Sequence, residues 1–149
     1  MRKKSWQLYI FVALFLTHIA FVMIKDHPHQ NVYFNFIAGK NIQAKFELDY
    51  WGLSNKQALE YILKNDSNNV IRIGSAGPIS IENSKQILSS LDKKRVMISE
   101  NIESDYIIDN YINWYGKYKK KRHEIPNNFT IYKEIFVSGK RIISIYKRI

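Results

Sequence analysis

The hydrophobic and polar positions divide this chain into two parts. One is an uninterrupted apolar stretch near the N-terminus, and the other is the remainder, in which apolar and polar residues recur at helix and strand spacings. Residues 6–24 carry no charged side chain when His18 is neutral. These 19 residues rise about 28 Å as a helix, close to the hydrocarbon thickness of a bilayer. The pattern predicts a retained transmembrane helix. A cleaved signal peptide is the alternative, but the apolar stretch is long and no small-x-small site closes it.

The basic residues before this helix predict its orientation. Arg2, Lys3 and Lys4 precede the apolar stretch, and basic residues flanking a span usually stay in the cytoplasm. We therefore expect a single-pass membrane protein with a cytoplasmic N-terminus. Residues 1–25 form the basic start and the anchor, and residues 26–149 form an extracytoplasmic domain.

Helical spacing returns in the middle of the chain after a break. Residues 25–45 have little helical periodicity, and Pro28 blocks a helix at that point. Residues 32–34 predict either a short strand or an interfacial stretch. Ser54, followed three residues later by Gln57, has the spacing of a capping box and predicts a helix start. The helix should end near Asn65, with one apolar face made of Ala58, Leu59, Ile62 and Leu63.

Strand patterns dominate the second half. Residues 70–74 and 95–99 read as strands, and a helix is predicted between them over residues 80–91. Such a βαβ unit predicts parallel strands with a right-handed crossover. Residues 105–108 predict a third strand. The inward positions of the intervening helix are expected to be Ile81, Ile87, Leu88 and Leu91.

The C-terminus predicts a β-hairpin. Residues 129–137 and 140–147 flank Ser138-Gly139, and glycine adopts the positive φ that tight turns need. The predicted fold class is therefore α/β. It has one N-terminal transmembrane helix, followed by a small mixed-sheet domain with a βαβ unit and a C-terminal β-hairpin.

The composition limits the classes of partner and chemistry that we expect for this chain. The formal net charge is +10 and there is no cysteine, which removes disulfides and thiolate chemistry. A dense basic run at residues 117–122 favours anionic partners, of which membrane lipid is expected and nucleic acid is not. A solvated basic face is the plainer interpretation.

Three patterns resemble chemical sites without completing one. The loop at residues 74–78 follows a strand, but it lacks the spacing of a phosphate-binding loop and predicts a plain βα turn. His27 and His29 would share one side of an extended strand, as metal ligands can. Glu47 and Asp49 would share one face in the same way, as a carboxylate pair for glycoside chemistry. We expect no catalytic residue, metal or cofactor, and enzymatic activity stays open.

The residues just behind the apolar stretch predict a binding surface instead. Tyr33, Phe34, Phe36, Tyr50 and Trp51 would form an aromatic collar at the membrane surface. Histidine and amide donors beside it suit the phosphate of a lipid. The candidate binding residues are His27, His29, Gln30, Tyr33, Asn35, Asp49, Tyr50 and Trp51.

Two of these segments also carry a resemblance. The run His27-Pro28-His29-Gln30, with Tyr33-Phe34-Asn35 after it, and the run 46–54, FELDYWGLS, occur in this order behind an apolar helix. Together with residues 105–108 and the tail at 142–148, they resemble the C-terminal region of multi-spanning glycosyltransferases that use polyprenyl-phosphate sugars. Protein mannosyltransferases and lipid A aminoarabinose transferases belong to that family.

The resemblance implies sugar transfer from a lipid-linked donor outside the cytoplasm. In the family the catalytic acids lie in the first outer loop of a chain with many spans, and this chain is predicted to have one span. No catalytic residue is therefore carried over. We expect a truncated, split or accessory C-terminal portion, with the remaining multi-span part as a partner. The alternative is an independent membrane-anchored module that binds anionic lipid or glycan.

Overall fold

The computed structural model describes residues 5–34, 38, 42–112 and 124–149. Within this part of the chain, one helix is long and apolar enough to cross a membrane, with a mean hydropathy of 2.1. This is α1, Ser5–Lys25. Thr17 Oγ1 donates a hydrogen bond to the carbonyl of Ala13 at 2.8 Å, so this polar group is satisfied within its own helix. The predicted apolar helix is confirmed.

The other elements are short. The remaining helices are α2 (Ile42–Lys45), α3 (Leu53–Asn65), α4 (Glu82–Gln86) and α5 (Ser90–Arg95). The strands are β1 (Ile71–Ser75), β2 (Val96–Ile98), β3 (Tyr106–Asp109), β4 (Phe129–Val137) and β5 (Lys140–Arg148). Single 3₁₀ turns lie at Gln30–Val32 and Asn101–Glu103.

The five strands form one mixed sheet in the order β2-β1-β3-β5-β4. Strand β1 is parallel to both β2 and β3. Strand β5 is antiparallel to β3 on one side and to β4 on the other. The predicted mixed sheet, its parallel βαβ strands and its C-terminal hairpin are confirmed.

The hairpin turn is formed as the sequence predicts. Ser138 and Gly139 have φ values of 45° and 74°, and two consecutive positive φ values match the twist of a two-residue hairpin. Ser138 Oγ donates to the buried carboxylate of Asp26 at 2.7 and 2.9 Å. Because Asp26 follows α1 directly, this contact joins the end of the apolar helix to the tip of the sheet.

One face of the sheet is covered by α3. Its predicted apolar face, Ala58, Leu59, Ile62 and Leu63, is buried. It packs in one cluster with Ile71, Ile73 and Ile143 of the sheet. Burial of such side chains contributes roughly 1.5–3 kcal/mol each. The helix ends at Asn65, as predicted.

The prediction of one continuous helix over residues 80–91 is wrong, because the structure has two short helices there, α4 and α5. Ser89 is extended (φ −60°, ψ 155°), and its side chain accepts a hydrogen bond from the amide of Asp92. This N-cap starts α5 and separates it from α4. Ile81 and Leu88 are buried as predicted, whereas Ile87 and Leu91 are 64% and 76% exposed.

The alternative of a strand at residues 32–34 is also wrong. Val32 ends the 3₁₀ turn Gln30–Val32, and its backbone amide bonds to the carbonyl of His29 at 2.9 Å. This turn folds the chain back on itself just after α1. The residues behind α1 therefore form a compact layer instead of an extended one.

Candidate functional site

The two motif segments meet directly behind α1. His29 Nε2 lies 3.0 Å from Gln57 Oε1, and Asn31 Nδ2 donates to the carbonyl of Leu48 at 2.8 Å. These contacts hold the segment 26–34 against the segment 46–57. We call the two segments together the juxtamembrane layer, because they follow the helix that is long and apolar enough to cross a membrane.

Asp49 is the buried centre of this layer. Its carboxylate is fully buried and accepts hydrogen bonds from Ser54, from the amide at 3.2 Å and from Oγ. Burial raises the pKa of Asp49, although the Ser54 hydrogen bonds and nearby His29 oppose the rise. An anionic side chain at the first turn of α3 also suits the positive end of the helix dipole.

The predicted capping box of α3 is therefore wrong. The helix begins at Leu53, and Gly52 at the N-cap position has a left-handed backbone (φ 66°). Ser54 lies inside the first turn and gives its hydroxyl hydrogen to Asp49. Gln57 bonds to His29 instead of reaching back to the helix start. A carboxylate from the preceding turn does the capping that the sequence assigned to Ser54.

The predicted carboxylate pair is wrong as well. Glu47 precedes the turn that leads into α3, Asp49 lies in that turn, and neither belongs to a strand. Asp49 is buried and bonded to Ser54, whereas Glu47 is partly exposed. They therefore share no strand face that could flank a glycosidic bond.

The two histidines do not share one side. His27 is exposed, and its Nδ1 lies 2.9 Å from Gln30 Nε2. His29 is buried, and in the described part of the chain its Nδ1 has no hydrogen-bond partner. The tight backbone after α1 turns the two rings apart, which extended geometry would not do. Among the described residues, no group of three histidine or acidic side chains could hold a metal ion.

The aromatic side chains of the layer remain at its surface. Tyr50 and Trp51 are exposed, Trp51 to 75%, and their rings meet edge to face at 5.1 Å. Tyr33 is also exposed and lines a small cavity of about 60 Å³ together with Val22 and Met23 of α1. Phe34 packs on Phe46 at 4.8 Å. Predicted residues Asn35 and Phe36 lie outside the described residues, as does the basic run 117–122.

A second polar cluster was not predicted. Glu134 of β4 accepts hydrogen bonds from Arg141 Nη1 at 2.8 Å and Ser144 Oγ at 3.2 Å, both on β5. Tyr111, which follows β3, places its hydroxyl 2.6 Å from Ser144 Oγ, and the guanidinium of Arg141 lies 4.3 Å from the Tyr111 ring centroid. The Arg141 hydrogen bond lowers the pKa of Glu134. We call these four residues the sheet cluster.

We compared this chain with known proteins. No protein-family profile, no curated protein and no solved structure matches this chain.

Proposed function

We propose that this chain is the C-terminal extracytoplasmic portion of a membrane glycosyltransferase that uses a lipid-linked sugar donor. The juxtamembrane layer is the observation that carries the proposal. The two segments with the family resemblance are separated in the chain by residues 35–45, and they pack on each other directly behind the apolar helix. The layer then acts as a scaffold at the membrane surface.

The described residues of this scaffold favour a non-catalytic role. A general acid or base must reach a proton of its substrate. Asp49 is instead buried against Ser54, and His29 is buried against Gln57. In our proposal the chemistry belongs to the remaining multi-span part of the enzyme, and this chain supports it.

The exposed aromatic side chains supply the contact surface. Tyr33, Tyr50 and Trp51 are exposed at the surface of the layer, and Tyr33 lies beside the end of α1. Aromatic rings of this kind are favoured at the membrane interface and also anchor protein interfaces. We assign them to contact with membrane lipid and with the multi-span part.

The competing function is an independent module that binds anionic lipid or glycan. Lys140 Nζ lies 6.0 Å from the ring centroid of Phe34, which places a cation at the edge of the layer. This alternative predicts binding to anionic vesicles that weakens as salt rises, because exposed charges are screened.

Purification of the tagged full chain from its native membranes in mild detergent tests the proposal. We expect a multi-span chain with an acidic first outer loop to co-purify in a constant ratio. Replacing Tyr50 and Trp51 together by alanine should remove the partner. A matched pair of exposed residues outside the layer, Ile87 after α4 and Leu91 in α5, should tolerate alanine. A monomer without such a partner, together with salt-sensitive vesicle binding, would favour the alternative.

A further inference from the structure

A crevice opens at the carboxyl ends of β1 and β2. Its volume is about 650 Å³, within the range of small-molecule sites. Ser75 ends β1 and Ile98 ends β2, and both line the crevice. In open α/β sheets, ligands bind outside the carboxyl ends of parallel strands, where neighbouring connections diverge.

The connections diverge here because they cover opposite faces of the sheet. After β1 the chain enters the face of α3, where Ile81 joins the core cluster. After β2 it runs across the other face at Gly74, where an added Cβ would collide with Asn101 and lie 2.6 Å from Ser104 Oγ. The missing side chain at Gly74 lets this connection pass close to β1. The gap between the two connections is the crevice.

The lining determines which ligands suit the crevice. It offers hydroxyls from Ser75, Ser80 and Ser99, and carboxylates from Glu100 and Glu124. No lysine or arginine is among the described residues that line it. Among these described residues, a phosphate or other anion would therefore meet negative charge without a cation to compensate it. Hydroxyl groups of a ligand would meet the carboxylates as acceptors. The three serine hydroxyls each have a partner, Gly77 O, Glu82 N or Ser104 Oγ, but an oxygen with two acceptor sites keeps capacity for a ligand.

Apolar side chains share the same lining. Pro78, Ile98 and Ile102 lie beside the polar groups. A mixed surface of this kind suits a ring with a hydrocarbon face and a hydroxyl-bearing edge. We propose that the crevice binds a neutral saccharide. This site is separate from the scaffold role above, and it stands on the crevice lining whether or not the chain joins a multi-span partner.

Saturation-transfer NMR on the full chain in lipid nanodiscs tests this proposal. Nanodiscs are needed because maltoside detergents carry sugar head groups that would compete. The probes are methyl α-glucoside and N-acetylglucosamine, with glucose 6-phosphate as the anionic counterpart. We expect saturable transfer to a neutral probe with a dissociation constant of about 1–10 mM and none to the phosphate. Equal or stronger transfer to glucose 6-phosphate would overturn the proposal, as would no saturable transfer to any probe.

Two matched variants test whether the neutral sugar binds in the crevice. Ile102 is 73% exposed and lines the crevice, whereas Leu91 is similarly exposed on α5 and does not. Ile102→Glu removes an apolar contact of the ring and should weaken neutral-sugar binding about tenfold, and Leu91→Glu should leave it unchanged. Both positions are exposed, so both variants should fold. Equal binding by the two variants would overturn the crevice as the site.

Discussion

The juxtamembrane layer and the sheet cluster are both networks of polar side chains, but they are built in different ways. In the layer, Asp49 and His29 are buried, and their partners come from within the same stretch of about 30 residues. In the cluster, Glu134 and Arg141 are partly exposed and form an ion pair. Tyr111 reaches Ser144 from 33 residues away.

This difference shows which side chains hold the fold and which lie at the surface. Polar groups of the layer fix backbone turns and leave its surface to Tyr33, Tyr50 and Trp51. Polar groups of the cluster depend on strand pairing, since Glu134 faces Ser144 across the β4–β5 register. The residues with the strongest motif signal therefore hold the fold, and the aromatic residues among them are available to a partner.

The largest expected effect comes from breaking the buried centre of the layer. Asp49→Ala removes the acceptor for the Ser54 amide and hydroxyl, both in a buried environment. We expect a loss of about 2–3 kcal/mol in the free energy of unfolding. Urea denaturation of the full chain in nanodiscs, followed by circular dichroism, measures it. A loss below about 0.5 kcal/mol would mean that Asp49 is not the cap of α3.

Gly74→Ala should be the next most damaging change, in strand β1 of the sheet but outside the sheet cluster. The new Cβ would lie 3.2 Å from Asn101 Cα and 2.6 Å from Ser104 Oγ, and Ser104 is fully buried. Overpacking of this kind costs about 1–3 kcal/mol. Gly139→Ala is the matched control, because its Cβ would meet nothing within 4 Å and only its φ of 74° is strained. If Gly139→Ala were the more destabilising in the same denaturation assay, the close crossing at Gly74 would be disproved.

The two networks should also respond to acid in opposite directions. Burial raises the pKa of Asp49, so its contribution to stability increases as pH falls and is complete below the pKa of the unfolded state. The Arg141 hydrogen bond lowers the pKa of Glu134, so its contribution is present above the unfolded pKa and is lost as pH falls further.

Denaturation of the wild type and two variants between about pH 7 and pH 3 separates these contributions. Relative to Asp49→Asn, the wild type should gain stability on acidification. Relative to Glu134→Gln, it should lose stability below about pH 4. The same sign for both differences would show that the two carboxylates do not occupy contrasting environments.

Trp51→Ala should have the smallest effect on stability. Its side chain is 75% exposed, and exposed substitutions usually change the free energy of unfolding by less than about 0.5 kcal/mol. Its effect should instead fall on partner association. A stability loss like that of Asp49→Ala, measured by the same denaturation, would assign Trp51 to the scaffold.

Much of the fold could be predicted, because its signals are local. The apolar helix, the buried face of α3 and the Ser138-Gly139 turn each depend on residues close in sequence. The break at Ser89 was missed because the apolar spacing continues through it, and only the capping geometry shows it. A run of basic residues is also visible in the sequence without the fold. The run 117–122 was identified in this way, but it lies outside the described residues.

The candidate site was only partly predictable. The sequence indicated that the two motif segments matter, but it placed Glu47 with Asp49 and His27 with His29 on extended strands. The backbone turns at both places, so one member of each pair is buried and the other is not. The sheet cluster had no signal, because Glu134, Arg141 and Tyr111 meet only through strand register and a turn after β3.

Site-specific photo-crosslinking tests the central claim most directly. A benzophenone amino acid replaces Trp51 in one variant and the equally exposed Leu91 in another. Both full-length variants are irradiated in native membranes, and the adducts are identified by mass spectrometry. We expect the Trp51 position to crosslink to a multi-span chain with an acidic first outer loop, and the Leu91 position not to. Lipid adducts alone at position 51, or the same protein adduct at both positions, would contradict the proposed role.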